Sequence, residues 1–151
     1  MTHMRLPLSA TLLTCFLLCL TLGGCKLIFE PAPDAAQRLM RALAARDFRV
    51  MEEMVEDETL RQNFRALGTA FASEHYRGFT DYWEISEDVE VDETTKLSYV
   101  EVVVYVPQRG NADPKSWTLY FEMERSYLRW SIYHVEGLDH LLRDIARARG
   151  M

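Results

Sequence analysis

The sequence predicts an α+β fold in which N-terminal helices pack on a curved, four-stranded antiparallel sheet, followed by a C-terminal helix. Two observations lead to this prediction. Apolar residues recur at helical spacing as far as Phe71, and from Phe79 onward they alternate with polar residues. Helices followed by strands with short polar turns are typical of an antiparallel meander that carries its helices on one face.

Three helices are predicted before the strands. The first follows Asp34, and its apolar face consists of Ala36, Leu39, Met40 and Leu43. Asp47 is placed to cap a shorter second helix, whose apolar face is Phe48, Met51, Met54 and Val55. The third begins near Asp57 and has the most regular apolar stripe in the chain, Leu60, Phe64, Leu67 and Phe71. All three faces are therefore expected in the core.

Four strands and a terminal helix are predicted next. Residues 79–91 alternate apolar and polar, and the run is long enough that a bend or bulge is expected within it. Residues 97–106 are apolar on both sides, which indicates a central strand. Two further strands are predicted around residues 117–123 and 128–132. A helix with inward-facing leucines then covers residues 138–150.

The N-terminal segment predicts export and lipidation. Arg5 precedes an uncharged apolar run over residues 6–22, and two glycines stand directly before Cys25. Residues 22–25, LGGC, resemble the lipobox of bacterial lipoproteins, in which the cysteine thiol receives a diacylglyceryl group and the cysteine becomes the new N-terminus. The alternative is an uncleaved membrane helix, for which the run is at the lower limit of the ~17–25 residues that span a bilayer. The resemblance implies a membrane anchor at Cys25.

The lipobox divides the chain into a signal peptide, residues 1–24, a lipidated tether, residues 25–33, and a domain, residues 34–151. In this family an Asp after the cysteine favours the inner membrane. Here Lys26 follows, so the resemblance implies the periplasmic side of the outer membrane. Cys15 and Cys19 leave with the signal peptide, so no cysteine pair is left in the mature chain.

Charge and motifs exclude several classes of function. The chain has 17 Lys and Arg against 23 Asp and Glu, a net charge of −6, and cleavage would remove Arg5 alone among them. An acidic domain without a basic cluster is not expected to bind nucleic acid. The sequence has no glycine-rich phosphate loop, serine nucleophile elbow or Cys–His pair. His75, His134 and His140 are too scattered for a metal site, so no cofactor is predicted.

The apolar spacing over residues 34–136 resembles nuclear transport factor 2-like domains. The pattern begins at Ala36 and Leu39, continues through Asp47-Phe48 and ends in residues 128–132, LRWSI. In that family three helices and a strongly bent sheet form a cone with an apolar pocket. The resemblance implies that an apolar small molecule could bind among four aromatic residues, Trp83, Trp117, Phe121 and Trp130. Ordinary core packing is the simpler interpretation of these side chains.

Two functions are compatible with these features. The preferred one is a non-catalytic binding or protein-interaction module of the cell envelope. The alternative is a pocket enzyme of isomerase or cyclase type, because some members of the resembled family use a pocket Asp as general base. Asp81 would be that base, and Tyr99 a hydrogen-bond donor if it points inward. Exposure of Asp81 at the sheet edge is the simpler interpretation.

The outer side of the sheet predicts an interaction surface. Neighbouring residues of a strand point to opposite faces, so the valines at even positions of residues 97–106 cannot share a face with the tyrosines at odd positions. The uniformly apolar valines are assigned inward. The outward set, which we call the tyrosine face, consists of Tyr99, Tyr105, Tyr120 and Tyr133. We expect it to be covered by a second copy in a homodimer, by an envelope protein, or by the terminal helix.

Overall fold

Three helices precede the sheet along the chain and one follows it, as predicted. The computed structural model describes residues 30–80, 82–86, 90–92, 96–108, 113–127 and 129–150. The helices are α1 (Ala32–Ala44), α2 (Phe48–Met54), α3 (Glu58–Phe71), a 3-10 turn (Glu74–Tyr76) and α4 (Leu138–Arg149). The strands are β1 (Trp83–Ile85), β2 (Glu90–Asp92), β3 (Leu97–Val106), β4 (Lys115–Ser126) and β5 (Arg129–Glu136).

The sheet is antiparallel and runs in the order β1–β3–β4–β5, with β2 also paired to β3. β4 occupies one edge of β3 along its whole length, so β1 and β2 share the other edge. Trp83 of β1 lies opposite Val104 of β3, and Glu90 of β2 lies opposite Tyr99 of β3. The long first strand predicted over residues 79–91 is therefore two short strands in one row. The α+β class with a curved four-row sheet and a terminal helix is confirmed.

The predicted inward faces form one core. The four apolar residues that the sequence assigns to the buried side of α1 are fully buried, as are Phe64 and Leu67 of α3. In β3 the valines at even positions, Val100, Val102, Val104 and Val106, are also fully buried, whereas Tyr99 is exposed. The predicted assignment of valines inward and tyrosines outward is confirmed, since β3 has one face against the helices and one face away from them.

The helix starts follow from capping side chains, with one difference from the sequence prediction. Asp47 accepts a hydrogen bond from the backbone N–H of Arg49, and Asp57 Oδ1 accepts one from the backbone N–H of Leu60 at 2.7 Å. Helix α1, however, begins at Ala32, inside the segment predicted to be the tether, residues 25–33. Pro33 is tolerated there because an N–H in the first turn has no partner within the helix in any case.

Helix α4 packs on the helical side of the sheet. Its buried residues Leu138, Leu141 and Ile145 belong to the core, and Asn63 of α3 donates a hydrogen bond to Asp139 at 3.0 Å. The indole N–H of Trp117, on an inward position of β4, donates to Asp144 at 3.0 Å. The prediction that the terminal helix could cover the tyrosine face is therefore wrong, because its apolar side is already used in the core.

Asp144 links α4 to the sheet, and its loss is expected to destabilise the fold. It accepts hydrogen bonds from Lys115 Nζ and Trp117 Nε1, each at 3.0 Å. The Lys115 ammonium, assisted by the indole N–H, holds the pKa of Asp144 below its ordinary value. Asp144→Ala should lower the free energy of unfolding by about 1–2 kcal/mol, since it leaves both donors unpaired. Chemical denaturation at neutral pH checks this value.

The contribution of Asp144 to the free energy of unfolding should decrease at acidic pH. Because the pKa of Asp144 is depressed in the folded protein, its stabilisation is complete above the unfolded value of about 3.9 and is lost as the pH falls through the folded value. The stability difference between wild type and Asp144→Asn should therefore shrink below about pH 4. Asp113→Asn, at an exposed position, serves as the control. A difference that is the same at pH 7 and pH 3 would contradict the ion-pair explanation.

Candidate interaction surface

The tyrosine face lies on the side of the sheet opposite the helices. Tyr99 is 36% exposed, and Tyr120 and Tyr133 are each 44% exposed. Tyr105 is half-buried at the β1 side, where its backbone N–H donates to the carbonyl of Tyr82. Tyrosines at this degree of exposure present both ring surface and a hydroxyl to a partner, which is the chemistry that protein interfaces favour.

A β-bulge shapes one end of this face. The pairing of β4 with β5 shifts between Glu122, which lies opposite His134, and Met123, which lies opposite Ile132. Tyr133 is the extra residue, and both Tyr133 and His134 are exposed between the buried Ile132 and Val135. Without the bulge, regular alternation from Ile132 would turn His134 toward the core and Val135 away from it.

Tyr133 and Glu122 interact across the bulge. The Tyr133 hydroxyl lies near the Glu122 carboxylate, and Tyr99 and Glu124 also lie close enough to influence its ionisation. Partial burial of the ring, together with the neighbouring carboxylates, raises the pKa of Tyr133 to about 12. The phenol therefore stays neutral at physiological pH and acts as a hydrogen-bond donor.

Carboxylates surround the tyrosines. Within β1, β3, β4 and β5, the strand register places five glutamates on the same face, because antiparallel partners share a side of the sheet. Tyr99 lies opposite Glu122, and Tyr120 lies opposite both Glu101 and Glu136. The full set is Glu84, Glu101, Glu122, Glu124 and Glu136. None of the five forms an ion pair with a described residue.

The four aromatic residues predicted to line a pocket lie in different surroundings. Phe121 is fully buried, with its ring centroid 5.8 Å from that of Phe64, and Trp130 is buried beneath the Arg125 guanidinium. The indole N–H of Trp83 donates to Gln37 of α1 at 3.0 Å. Trp117 bonds Asp144 and stacks on His140. The four rings thus have different polar or aromatic partners, and the pocket stays a prediction.

Three clefts formed by described residues lie elsewhere. One of about 290 Å³ separates the starts of α3 and α4, near Asp57 and Asp139. A second, about 350 Å³, lies beside the β4–β5 hairpin at Tyr127, and a third, about 370 Å³, lies between His75 and the end of α4. None of the three is lined by the aromatic residues predicted to form a pocket. Within the described ranges, no group of three His, Cys, Asp or Glu side chains is positioned to hold a metal ion.

Two predicted functional residues, Cys25 and Asp81, lie outside the described residues. The lipidation site and the general base of the alternative enzyme therefore stay predictions. Tyr99, considered as the donor beside Asp81, is exposed on the outer face and does not point toward the core. That part of the enzyme hypothesis is wrong.

Strand alternation assigns Glu101 to the outward face with Tyr99 and Tyr105, but the sequence analysis did not identify the other four glutamates as part of the surface. The alternation Tyr120-x-Glu122-x-Glu124 in β4 is the signal that was available, since residues two apart share a face. Their position beside Tyr99 and Tyr133, however, depends on the register of three strands and on the bulge. The register cannot be read from one strand alone.

Comparisons with known proteins give no further guide. No family model, no curated protein and no solved structure matches this chain. Among the described helices, none combines the length and the apolar character needed to cross a membrane. The surface itself is therefore the basis for a functional assignment.

Proposed function

We propose that this chain is an envelope lipoprotein, anchored through lipid on Cys25, whose domain is a non-catalytic interaction module that binds a partner through the tyrosine face. The exposure of Tyr99, Tyr120 and Tyr133 on an outer sheet surface that α4 leaves uncovered is the observation that supports it. A sheet exposed on one side normally carries solvated polar residues there. Three partly exposed tyrosines on that side favour a contact surface.

The lipid anchor makes the first half of this proposal testable. Residues 22–25 supply the lipobox, and acyl chains hold a protein on a bilayer by burying methylene groups, with two or three chains needed for stable attachment. Cys25→Ser should abolish labelling by a radioactive or alkyne-bearing fatty acid in the producing cells. A wild-type protein that carries no lipid and retains residues 1–24 would overturn the anchor.

The binding surface is tested by cross-linking in the same cells. A photo-reactive amino acid at position 120 should give one discrete adduct with another envelope protein, identified by mass spectrometry. The control is the same amino acid at Gln62, which is exposed on α3. The yield of the adduct from position 120 should fall when the same protein also carries Tyr99→Ala and Tyr133→Ala. Identical adduct patterns from positions 120 and 62, or none from either, would refute binding through this face.

A further inference from the structure

We infer that the partner of the tyrosine face is a protein segment rich in Arg or Lys, and not a second copy of this chain; this inference rests on the proposed function. Three of the four tyrosines of this face, Tyr99, Tyr120 and Tyr133, have exposed rings. Its charge identifies the kind of partner that fits it. Arg and Lys can pair with the carboxylates and also lie over tyrosine rings.

The charge of the face is predominantly negative. Five glutamates share it with the tyrosines, and Arg129, at the hairpin end of β5, is the single Lys or Arg that the register places there among the described strand residues. Arg129 makes no ion pair with these glutamates. By contrast, on the helical side Arg65 bridges Glu52 and Glu58. The five glutamates of the tyrosine face thus have no ion-pair partner among the described residues.

Like charge argues against a second copy. A two-fold dimer through this face would bring the same five carboxylates against one another, and carboxylates of one sign in a shared interface repel. The size of the face gives the same answer. The rows from Leu97 to Tyr105 extend about 27 Å along β3, and three strand spacings give about 14 Å across, roughly 400 Å². A stable dimer needs about 800 Å² from each partner.

The spacing of the carboxylates suits a single chain segment. Glu122 and Glu124 are two residues apart on one strand, which corresponds to about 6.8 Å. An extended segment with a basic residue at every second position has the same repeat, so its guanidinium groups would reach successive carboxylates while its backbone lies over the rings. Glu101 and Glu122 are half-buried, so ion pairs with them are less screened than pairs at fully exposed sites.

The test uses a short synthetic peptide that alternates Arg and Ser, with a peptide alternating Gln and Ser as the neutral comparison. Binding to the full-length protein in detergent is measured by calorimetry. Combining Glu101→Gln, Glu122→Gln and Glu124→Gln should weaken binding of the Arg peptide about tenfold, because several pairs are lost together. The matched control combines Asp34→Asn, Glu53→Gln and Glu56→Gln on the helical side, which changes the net charge equally. It should weaken binding by less than about twofold.

Equal weakening by the two triple variants would overturn the inference, since the peptide would then respond to net charge alone. Equal affinity for the Arg and Gln peptides would overturn it as well. Sedimentation should show a monomeric domain, and a dimer that Tyr120→Ala dissociates would identify a second copy as the occupant instead.

Failure of the inference is distinguishable from failure of the proposed function. If the cross-link from position 120 persists in the Glu101, Glu122 and Glu124 triple variant, the interaction module is supported and the basic partner is refuted. If position 120 gives no specific cross-link, the proposed interaction module itself is refuted. Loss of the cross-link in the glutamate variant, with retention in the helical-side control, supports both.

Discussion

Tyr76→Ala is expected to lower the free energy of unfolding by about 4 kcal/mol, the scale found when a large buried aromatic side chain is truncated. Tyr76 is 1% exposed, and its ring packs edge-on against Phe71 at 5.3 Å and Tyr82 at 5.5 Å between centroids. Its hydroxyl donates to the backbone carbonyl of Tyr105 at 3.1 Å. One side chain therefore connects the end of α3, the segment before β1 and the end of β3.

Two variants separate packing from hydrogen bonding at this position. Tyr76→Phe keeps the ring and leaves the Tyr105 carbonyl without this donor, so a loss of about 1 kcal/mol is expected. Burial raises the pKa of the Tyr76 phenol, which keeps it protonated as the donor. Tyr127→Ala is the matched control, because Tyr127 is 93% exposed and its truncation should cost less than about 0.5 kcal/mol. Urea denaturation gives all three values, and a Tyr76→Ala loss under 1 kcal/mol would contradict the packing explanation.

Gly68→Val is the second substitution expected to have a large effect, about 3 kcal/mol of destabilisation. A Cβ atom at Gly68 would lie 2.9 Å from the backbone carbonyl oxygen of Leu43 and 3.0 Å from the Phe48 ring. The first of these atoms belongs to the backbone of α1, so α1 and α3 would have to separate. The absence of a side chain at Gly68 is what allows the two helices to approach.

A control on the same helix isolates the steric effect. Ala66 is exposed on α3, and Ala66→Val introduces the same branched side chain without a buried contact, so only the helix-propensity cost of about 0.5 kcal/mol is expected. Thermal or urea unfolding of the two variants gives the comparison. If Gly68→Val and Ala66→Val lose the same free energy, the close approach of α1 and α3 has no energetic consequence.

Long periodic segments could be predicted from the sequence, and short irregular ones could not. The stripes of α1 and α3 repeat over several turns, and β3 runs over the residues predicted for it, 97–106. Each of these elements buries one face along its whole length, so the apolar spacing alone predicts it. The packing of Tyr76 against Phe71 and Tyr82 was not predicted, because Tyr76 lies in a three-residue 3-10 turn, which is too short to show a periodic pattern.

The candidate site depends on information that lies between strands. The outward direction of Tyr99 and Tyr120 follows from alternation within single strands and could be predicted. The placing of Glu122 beside Tyr99 and Tyr133 requires the pairing of β3 with β4 and the extra residue in β5. The apolar spacing of three between Ile132 and Val135 is a trace of that bulge, since a regular strand alternates by two.

The early start of α1 limits where a lipid-anchored domain can search for its partner. Six residues separate Cys25 from Ala32, and a fully extended backbone of that length reaches about 25 Å from the acylated residue. Under the proposed lipidation, the domain is therefore confined to a thin layer next to the bilayer, and a partner in the same layer meets it at a high effective concentration. Individually weak contacts between glutamates and basic side chains are then sufficient for occupancy at the membrane, and the same contacts would release the partner once it leaves the surface.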